Sequence, residues 1–147
     1  MAITAPFTGQ KTELHITSAI AGVLSAATLV GEVDDLGAFE TTRNMVDLLS
    51  YGDDDLRKLT TTRDNGSISV TLSWMPSDSE HIALDTAFLA GTLDTYAIQW
   101  VSGAADARVD FSAFVSSYSI TSPKDDKVTC AVELTISGAV TYDLTPA

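Results

Sequence analysis

The run Val128-Thr-Cys-Ala-Val-Glu-Leu-Thr-Ile-Ser137 alternates apolar and polar residues one by one. Such a period of two predicts a β-strand with a single buried face. The opposite face is small and rich in hydroxyl groups, whereas an ordinary solvent-facing strand would carry more Lys and Glu. The buried face is expected to comprise Val128, Cys130, Val132, Leu134 and Ile136, and the opposite face Thr129, Ala131, Glu133, Thr135 and Ser137.

A second segment repeats this two-sided pattern. After the turn pair Asn65-Gly66, the apolar residues from Ile68 to Trp74 alternate with serine and threonine, and Pro76 ends the strand. A change in apolar phase between Val115 and Tyr118 predicts either a bulge inside a long strand or a bend where the strand crosses from one sheet to another. Further strands are predicted at residues 12–17, 28–36, 96–100, 108–120 and 128–141.

One helix is predicted, with Ser77 or Asp78 as its N-cap and Gly91 at its end. Its apolar side, formed by Ile82, Phe88 and Leu89, is expected to lie on the sheet. Residues 18–27 stay open between a short helix and a loop. Many strands, one helix and abundant turns predict a mainly β subunit, a β-sandwich or barrel with the helix on its flank. No repeat or linker divides residues 1–147, so a single domain is expected.

Residues 37–65 are predicted to form a long irregular loop, because few apolar residues recur there with either period. Loops of this length are uncommon in compact domains unless they are functional or disordered. The loop contains the acidic run Asp53-Asp54-Asp55, which lacks the alternating acids, central glycine and terminal glutamate of a calcium-binding loop. The segment is therefore expected to face solvent or a partner.

Composition limits the possible functions. The 147 residues are 45% hydrophobic, which is enough for a core, and carry a net charge of −12. Such an acidic surface disfavours affinity-driven binding to nucleic acid, but it does not exclude a role beside DNA in which adhesion is unwanted. The single cysteine, Cys130, excludes an intramolecular disulfide and is expected to be a buried thiol. Without a signal peptide or a long apolar span, synthesis in a cytoplasm is expected.

The chain shows no catalytic constellation. His15 and His81 belong to no metal-ligand spacing, and serine-hydrolase, phosphate-loop and dinucleotide-binding motifs are absent from the sequence. The sequence therefore predicts neither an enzyme nor a bound cofactor. One alternative is a monomeric β-sandwich that binds glycans through Tyr96, Trp74 and Trp100, although aromatic residues on apolar strand faces more often belong to the core.

Three segments resemble the major tail tube proteins of long-tailed, non-contractile bacteriophages. The first joins Thr41-Thr42-Arg43 and Leu56-Arg57-Lys58-Leu59 to the strand that starts near Asn65. The second runs from Trp74-Met75-Pro76-Ser77-Asp78 to Gly91. The third, and the most specific, includes Ser122-Pro123-Lys124-Asp125-Asp126-Lys127 and Ser137-Gly138-Ala139-Val140-Thr141. Contractile-tail and type VI secretion tubes share the fold that this resemblance implies.

The resemblance implies a structural virion protein, assembled in the host cytoplasm and located in the phage tail. Six copies would form a ring whose inner sheets join into one β-barrel, and stacked rings would form the tube. Double-stranded genomic DNA would pass through the lumen without specific binding. The implied protein partners are further copies of the chain, a tape-measure protein, and tail terminator and tip proteins; no membrane insertion is implied.

The resemblance assigns one set of residues, and the hypothesis of an acidic lumen adds a second. The long loop would contact neighbouring subunits or rings, and the hydroxyl-rich face would line the lumen, where acidic groups repel the phosphates of DNA. The loop set is Thr41, Thr42, Arg43, Asp53, Asp54, Asp55, Arg57, Lys58 and Arg63. The lumen set is Thr129, Glu133, Thr135, Ser137, Asp125 and Asp126.

Overall fold

The computed structural model describes residues 12–17, 28–31, 33–52, 54–100 and 107–143. These residues form ten strands and one helix. The predicted mainly β subunit with one helix is confirmed, and residues 18–27 lie outside the described part of the chain. The elements are β1 (Thr12–Thr17), β2 (Thr28–Leu29), β3 (Val33–Leu36), β4 (Thr42–Leu48), β5 (Arg57–Asp64), β6 (Ser67–Ser73), α1 (Ser79–Ala90), β7 (Asp94–Trp100), β8 (Ala107–Thr121), β9 (Thr129–Ile136) and β10 (Thr141–Asp143).

Eight of the strands form one antiparallel sheet in the order β2-β1-β7-β8-β9-β6-β3, and β10 pairs with β8. Leu14 on β1 and Ile68 on β6 lie far apart in this order, yet both are buried in the same hydrophobic cluster. The sheet therefore curls around a single core, which Leu84 and Ala87 of α1 help to fill. The remaining strands, β4 and β5, pair only with each other among the described residues.

The alternation that opened the sequence analysis is present in β9 and β6, which pair along their whole lengths. On β9, the side chains of Cys130, Val132 and Leu134 are at most 2% exposed. The alternate residues Ala131 and Thr135 are exposed. Apolar residues of β6 lie directly opposite them. Burial of these cross-strand pairs fixes the register, because a shift of one residue would turn every apolar side chain outward.

The predicted bulge in β8 is confirmed. The register between β8 and β9 shifts between Val115 and Ser117. The first half of β8, residues 107–113, pairs with β7, and its second half pairs with β9. Ala113 pairs with both neighbours, so β7 and β9 lie on opposite sides of β8. Among the described residues, nothing pairs with the β7 side of β8 beyond Ala113, which leaves residues 114–121 with a free backbone edge.

The prediction of one strand over residues 28–36 is wrong. The chain leaves the sheet at Val30 and Gly31, so that β2 pairs with β1 at one edge and β3 pairs with β6 at the other. The Val30 N–H donates to the Leu14 carbonyl. The strand predicted for residues 128–141 is also interrupted, because Gly138 has a φ of 89° and turns the chain from β9 into β10.

The helix has the predicted ends but not the predicted buried face. Asp78 Oδ1 accepts from the backbone N–H groups of Glu80 and His81, and Gly91 ends the helix with a φ of 65°. Ile82 is 52% exposed; Phe88 and Leu89 are exposed as well, and His81, Leu84 and Ala87 are buried instead.

The burial of His81 explains why the buried face of α1 differs from the predicted one. His81 Nδ1 accepts from the Met75 N–H at 3.1 Å, and the Nε2 atom lies 3.0 Å from the Gly31 carbonyl oxygen, to which it donates. Because both ring nitrogens are hydrogen-bonded, the imidazole can be buried without an unsatisfied polar atom. A pattern that counts histidine as polar places the buried face on the wrong side of this helix.

The prediction of an irregular loop over residues 37–65 is also wrong. Residues 42–64 form a β-hairpin, in which Val46 lies opposite Leu59 and Asp47 opposite Lys58. Every residue of β4 and β5 is exposed. Since neither face of the hairpin is covered by the described part of its own subunit, burial imposes no period of two on the sequence, and the strands escape detection.

Candidate functional site

One side of the curved sheet is built from small hydroxyl-bearing residues and is called the hydroxyl face below. Cross-strand partners lie on the same face, so the register groups them into rows. One row joins Ser117, Glu133 and Ser69, and the next joins Ala131 with Thr71. The hydroxyl face comprises Asp35 of β3, Ser67, Ser69, Thr71 and Ser73 of β6, Ser117, Ser119 and Thr121 of β8, and Thr129, Ala131, Glu133 and Thr135 of β9.

Carboxylates set the charge of the hydroxyl face. Glu133 Oε1 accepts from Ser67 Oγ at 2.9 Å. Asp34, at the irregularity in β3, accepts from Ser73 Oγ and lies 2.8 Å from Lys127 Nζ. The hydrogen bond from Lys127 is the main cause that lowers the pKa of Asp34, so this carboxylate stays ionised near neutral pH. With Asp35, three acids and one lysine occupy this region.

The structure brings together part of the predicted lumen set. Thr129, Glu133 and Thr135 lie side by side on the hydroxyl face. Ser137 lies one residue beyond β9, where its N–H donates to the Ser112 carbonyl. Asp125 and Asp126 are exposed in the turn that connects β8 and β9, so they lie at one end of the face rather than on it. These two groups of residues therefore have different positions relative to the sheet.

Sequence reasoning missed the contributions of β3 and β8 to this face. Asp35 joins it because β3 pairs with β6, a contact between segments more than 30 positions apart. The serine-rich run around Ser117 and Ser119 was a usable signal, but the bulge after Val115 obscures its phase. Phe114 is the large apolar exception, being 39% exposed and opposite Thr135.

The hairpin of residues 42–64, called the assembly hairpin below, has two unlike faces. Cross-strand pairing and alternation place Val46, Leu48 and Leu59 on one face, which Arg57 joins at its edge opposite Leu48. Asp47 and Lys58 lie on the other face, together with Met45, and form a 3.0 Å ion pair. The apolar side chains are about half exposed, and near the tip Leu49 reaches 78%. An isolated two-stranded hairpin with such exposure is marginally stable, which points to a covering partner.

The charged residues predicted for the loop are spread over the assembly hairpin. Arg43 lies directly opposite Arg63, and this juxtaposition of like charges is unfavourable unless an anion balances it. Asp53 lies outside the described residues. Of the other predicted residues, Thr41 precedes β4, Thr42 begins it, Arg57 and Lys58 begin β5, and Asp54 and Asp55 lie in the connection.

The structure gives no support to a glycan-binding platform. Tyr96 is 1% exposed, and its ring stacks on Phe111 with 6.0 Å between centroids. Trp74 Nε1 donates to the Tyr118 hydroxyl at 3.3 Å. These contacts make Tyr96 a core residue and attach Trp74 to the sheet, so with Trp100 they do not form one exposed aromatic surface.

The described residues also contain no group of three or more His, Cys, Asp or Glu side chains placed to hold a metal ion. Cys130 is buried, and burial raises the pKa of its thiol, so the role of Cys130 is structural. His15 bonds Glu13 and His81 bonds backbone groups, as separate local contacts. No helix in the part of the chain that the structure describes has the length and apolar character needed to cross a membrane.

Comparison with known proteins identifies one matching family model. The model described as "Lambda phage tail tube protein, TTP" matches residues 17–143, which is most of the chain. No curated protein sequence matches it significantly.

Solved structures share the fold at low sequence identity. The SPP1 tail tube superposes with a TM-score of 0.70 at 16% identity and covers 94% of this chain and 79% of its own. A gene transfer agent tail, determined with C6 symmetry, superposes with a TM-score of 0.69 at 10% identity. The match covers 94% of this chain and 99% of the gene transfer agent chain. The sheath/tube terminator of an extracellular contractile injection system, PVC, superposes with a TM-score of 0.73 at 11% identity. The match covers 97% of this chain and 99% of the terminator chain.

Proposed function

This chain belongs to the lambda phage tail tube protein family, and from that premise we propose how its copies build a tube. It is a structural protein of the virion tail and not an enzyme. We propose that six copies close into a ring, that the hydroxyl face lines the bore, and that the assembly hairpin joins successive rings. The observation that carries the proposal concerns the edges of the hydroxyl face: among the described residues, β3 pairs only with β6 and residues 114–121 of β8 pair only with β9, which leaves one free strand edge on each side.

The two free edges fit a head-to-tail ring. The hydroxyl face spans the second half of β8, then β9, β6 and β3, and each neighbouring pair is antiparallel. In this order β3 runs opposite to β8, so β8 of the next copy would pair with β3 in the same antiparallel sense. Each copy then adds four strands, and closure removes every exposed edge of the inner sheet.

Six-fold symmetry is supported by the C6 symmetry of the gene transfer agent tail. Four strands from each of six copies make a barrel of about 24 strands, which is roughly 40–50 Å across at ordinary strand spacing and tilt. Side chains on the hydroxyl face are short, so they narrow the bore little. Such a bore admits double-stranded DNA.

The chemistry of the hydroxyl face supports passage of DNA without binding. Glu133 and Asp35 place net negative charge along the bore, and the ion pair of Asp34 with Lys127 adds no net positive charge. Phosphates within about 8 Å would be repelled at physiological ionic strength. Serine and threonine hydroxyls offer small, uncharged contacts between the acids. Genomic DNA would therefore slide through the tube.

The assembly hairpin supplies the contact between rings. Its apolar face, Val46, Leu48 and Leu59, has no cover within the described part of its own subunit. The opposed Arg43 and Arg63 at its base would bind carboxylates, which a chain of net charge −12 offers in excess. A second ring of the same protein could therefore both cover the apolar face and supply carboxylates to the two arginines. The predicted contacts of Thr41, Thr42, Asp54 and Asp55 belong to the same interface.

Other partners follow from the position of the chain in the virion. A tube of defined length needs a tape-measure protein inside it during assembly and terminator and tip proteins at its ends. The terminator of the contractile injection system named above shares this fold, which supports a terminator that stacks on the last ring as another ring would.

Electron microscopy of the purified protein tests the proposed function. Concentrated protein is expected to form rings or tubes with six-fold end views, and dilution is expected to release folded monomer. A chain that stays monomeric at every concentration, in the absence and presence of preformed tail ends, would contradict the proposal.

A further inference from the structure

We propose that two side chains of one copy insert into a groove of the next copy. The contact lies on the core side of the seam, which is the line where β8 of one copy pairs with β3 of the next. The side chains, called the knob below, are Tyr118 and Ile120 at the free edge of β8. The groove runs along the free edge of β3. The occupant of the groove is thus a second copy of this chain, and the inference rests on the proposed ring.

The knob consists of two core-facing residues, of which Tyr118 is partly buried and Ile120 is left exposed by the described part of the subunit. Ile120 lies opposite Cys130 and Tyr118 opposite Val132, and both partners are at most 2% exposed. Ile120 is nevertheless 44% exposed, because no strand in the described part of the chain covers that side of β8 beyond Ala113. An apolar side chain on the core face of a sheet is normally buried by the next strand.

The groove is the complementary feature at the other end of the same inner sheet. It has a volume of about 510 Å³ and separates β3 from the ends of β1 and β7. Apolar side chains form its walls, and Asp34 and Asp35 lie at its outer rim. The apolar lining residues are Val33, Leu36, Phe39, Ile68, Ile98 and Trp100.

The register shows why the knob and the groove meet. One core-facing row runs from Ile120 through Cys130 and Leu72 to Val33. The adjacent row runs from Tyr118 to Leu36. Because side chains alternate between faces, any seam that keeps the hydroxyl face continuous puts the knob on the same face as Val33 and Leu36 of the next copy. A seam that continues these rows in register places the knob directly beside them.

Charge complementarity supports the same partner. The turn that follows Ile120 carries the exposed Lys124, which makes no ion pair within the described residues. The rim of the groove carries Asp34 and Asp35. Among the described residues, Asp34 has Lys127 beside it, and Asp35 forms no ion pair. Lys124 of one copy would therefore approach Asp35 of the next when the knob enters the groove.

Disulfide trapping tests the contact directly. In a Cys130→Ser background, which removes the native thiol opposite Ile120, one variant carries Ile120→Cys with Leu36→Cys and another Ile120→Cys with Val33→Cys. The two positions are three strand spacings apart within a subunit, roughly 14 Å along the sheet, whereas a disulfide needs Cα atoms within about 7 Å. A bond can therefore form only between copies.

Oxidation of assembled tubes is expected to give a ladder of covalent oligomers up to the ring in at least one double variant, and none in the single-cysteine variants. In parallel, Ile120→Glu is expected to raise the protein concentration needed for assembly by about tenfold or more. Ile82→Glu is the matched control, because Ile82 is similarly exposed on the outer side of α1. This control is expected to stay within about twofold of the unmodified protein.

The outcomes separate this inference from the proposed function. Tubes without a ladder in either double variant, or equal assembly of the Ile120→Glu and Ile82→Glu variants, would overturn the knob and leave the tube in place. Failure of the unmodified protein to form rings or tubes would overturn the proposed function itself. A ladder together with the selective defect of Ile120→Glu would establish the contact.

Discussion

The strand pair β6–β9 and the hairpin β4–β5 are both antiparallel and of similar length, but they differ in what stabilises them. In β6–β9, Val70 and Leu72 face Val132 and Cys130 across the ladder, and all four side chains are nearly inaccessible. In the hairpin, Val46 and Leu59 occupy equivalent positions and are about half exposed. The first pair is stabilised by its own subunit, whereas the second has no such cover within the described residues and is proposed to gain it from a neighbour. Substitutions should therefore affect folding in one region and assembly in the other.

Deleting residues 42–62 and joining the ends with two glycines should abolish tube growth while leaving a folded monomer. The ends are close because Thr42 lies opposite Asp64, so the short linker spans them without strain. Electron microscopy measures assembly, and circular dichroism with thermal unfolding measures the fold. Normal polymerisation of the shortened protein would show that the hairpin is not the contact between rings.

Cys130→Asp should unfold the subunit, whereas the hairpin deletion should leave it folded. Cys130 is fully buried between Leu72 and Ile120, and an uncompensated charge there costs several kcal/mol, a large part of the stability of a domain. Cys130→Ala, the matched control, should cost about 1 kcal/mol and keep cooperative unfolding. Urea titration followed by tryptophan fluorescence measures both. A stable, monomeric Cys130→Asp protein would contradict the assigned core.

Leu59→Glu should weaken assembly by about tenfold or more without changing the unfolding free energy beyond about 0.5 kcal/mol. Leu59 belongs to the apolar face of the hairpin and is 53% exposed in the subunit. Thr60→Glu adds the same charge to the opposite face and should have the smaller effect. Sedimentation at a series of protein concentrations compares the two, and a larger defect in Thr60→Glu would mean that the other face docks.

Asp78→Ala should lower stability by about 1 kcal/mol at neutral pH, because it removes the N-cap of α1. Burial raises the pKa of Asp78, but hydrogen bonds from the His81 and Glu80 N–H groups outweigh it and lower the pKa below its ordinary value of 3.8. This contribution is therefore complete above about pH 4 and is lost as the pH falls through the lowered pKa.

Chemical unfolding at pH 7 and at acidic pH checks this prediction. The difference between Asp78→Ala and the unmodified protein should shrink at low pH. Asp78→Asn, which keeps a capping oxygen but cannot ionise, should show a smaller dependence on pH. A difference that stays constant with pH would exclude an ionised cap.

Local signals made much of the fold predictable. The alternation in β9 and β6, the bulge in β8 and the caps Asp78 and Gly91 all depend on residues close together in the sequence, and all are confirmed. The hairpin was missed because residues without a buried face carry no periodic signal. The buried side of α1 was misplaced because His81 is buried through hydrogen bonds rather than through apolarity.

The candidate surfaces were predictable only in part. Thr129, Glu133 and Thr135 are correctly grouped by alternation, because they share one strand. Asp35 and Ser117 join them through pairing with β6 and β9, and such long-range pairing has no signature in a single sequence. The free edges of β3 and β8, on which ring closure depends, emerge only when the order of the strands is known.

A cryo-electron microscopy reconstruction of assembled tubes tests the central claim most directly. The account predicts a closed antiparallel barrel in which β8 of each copy pairs with β3 of the next. Thr71, Thr129 and Glu133 should face the bore, and α1 should lie outside. A bore lined by α1 or by the assembly hairpin, or rings whose inner sheets do not pair across subunits, would contradict it.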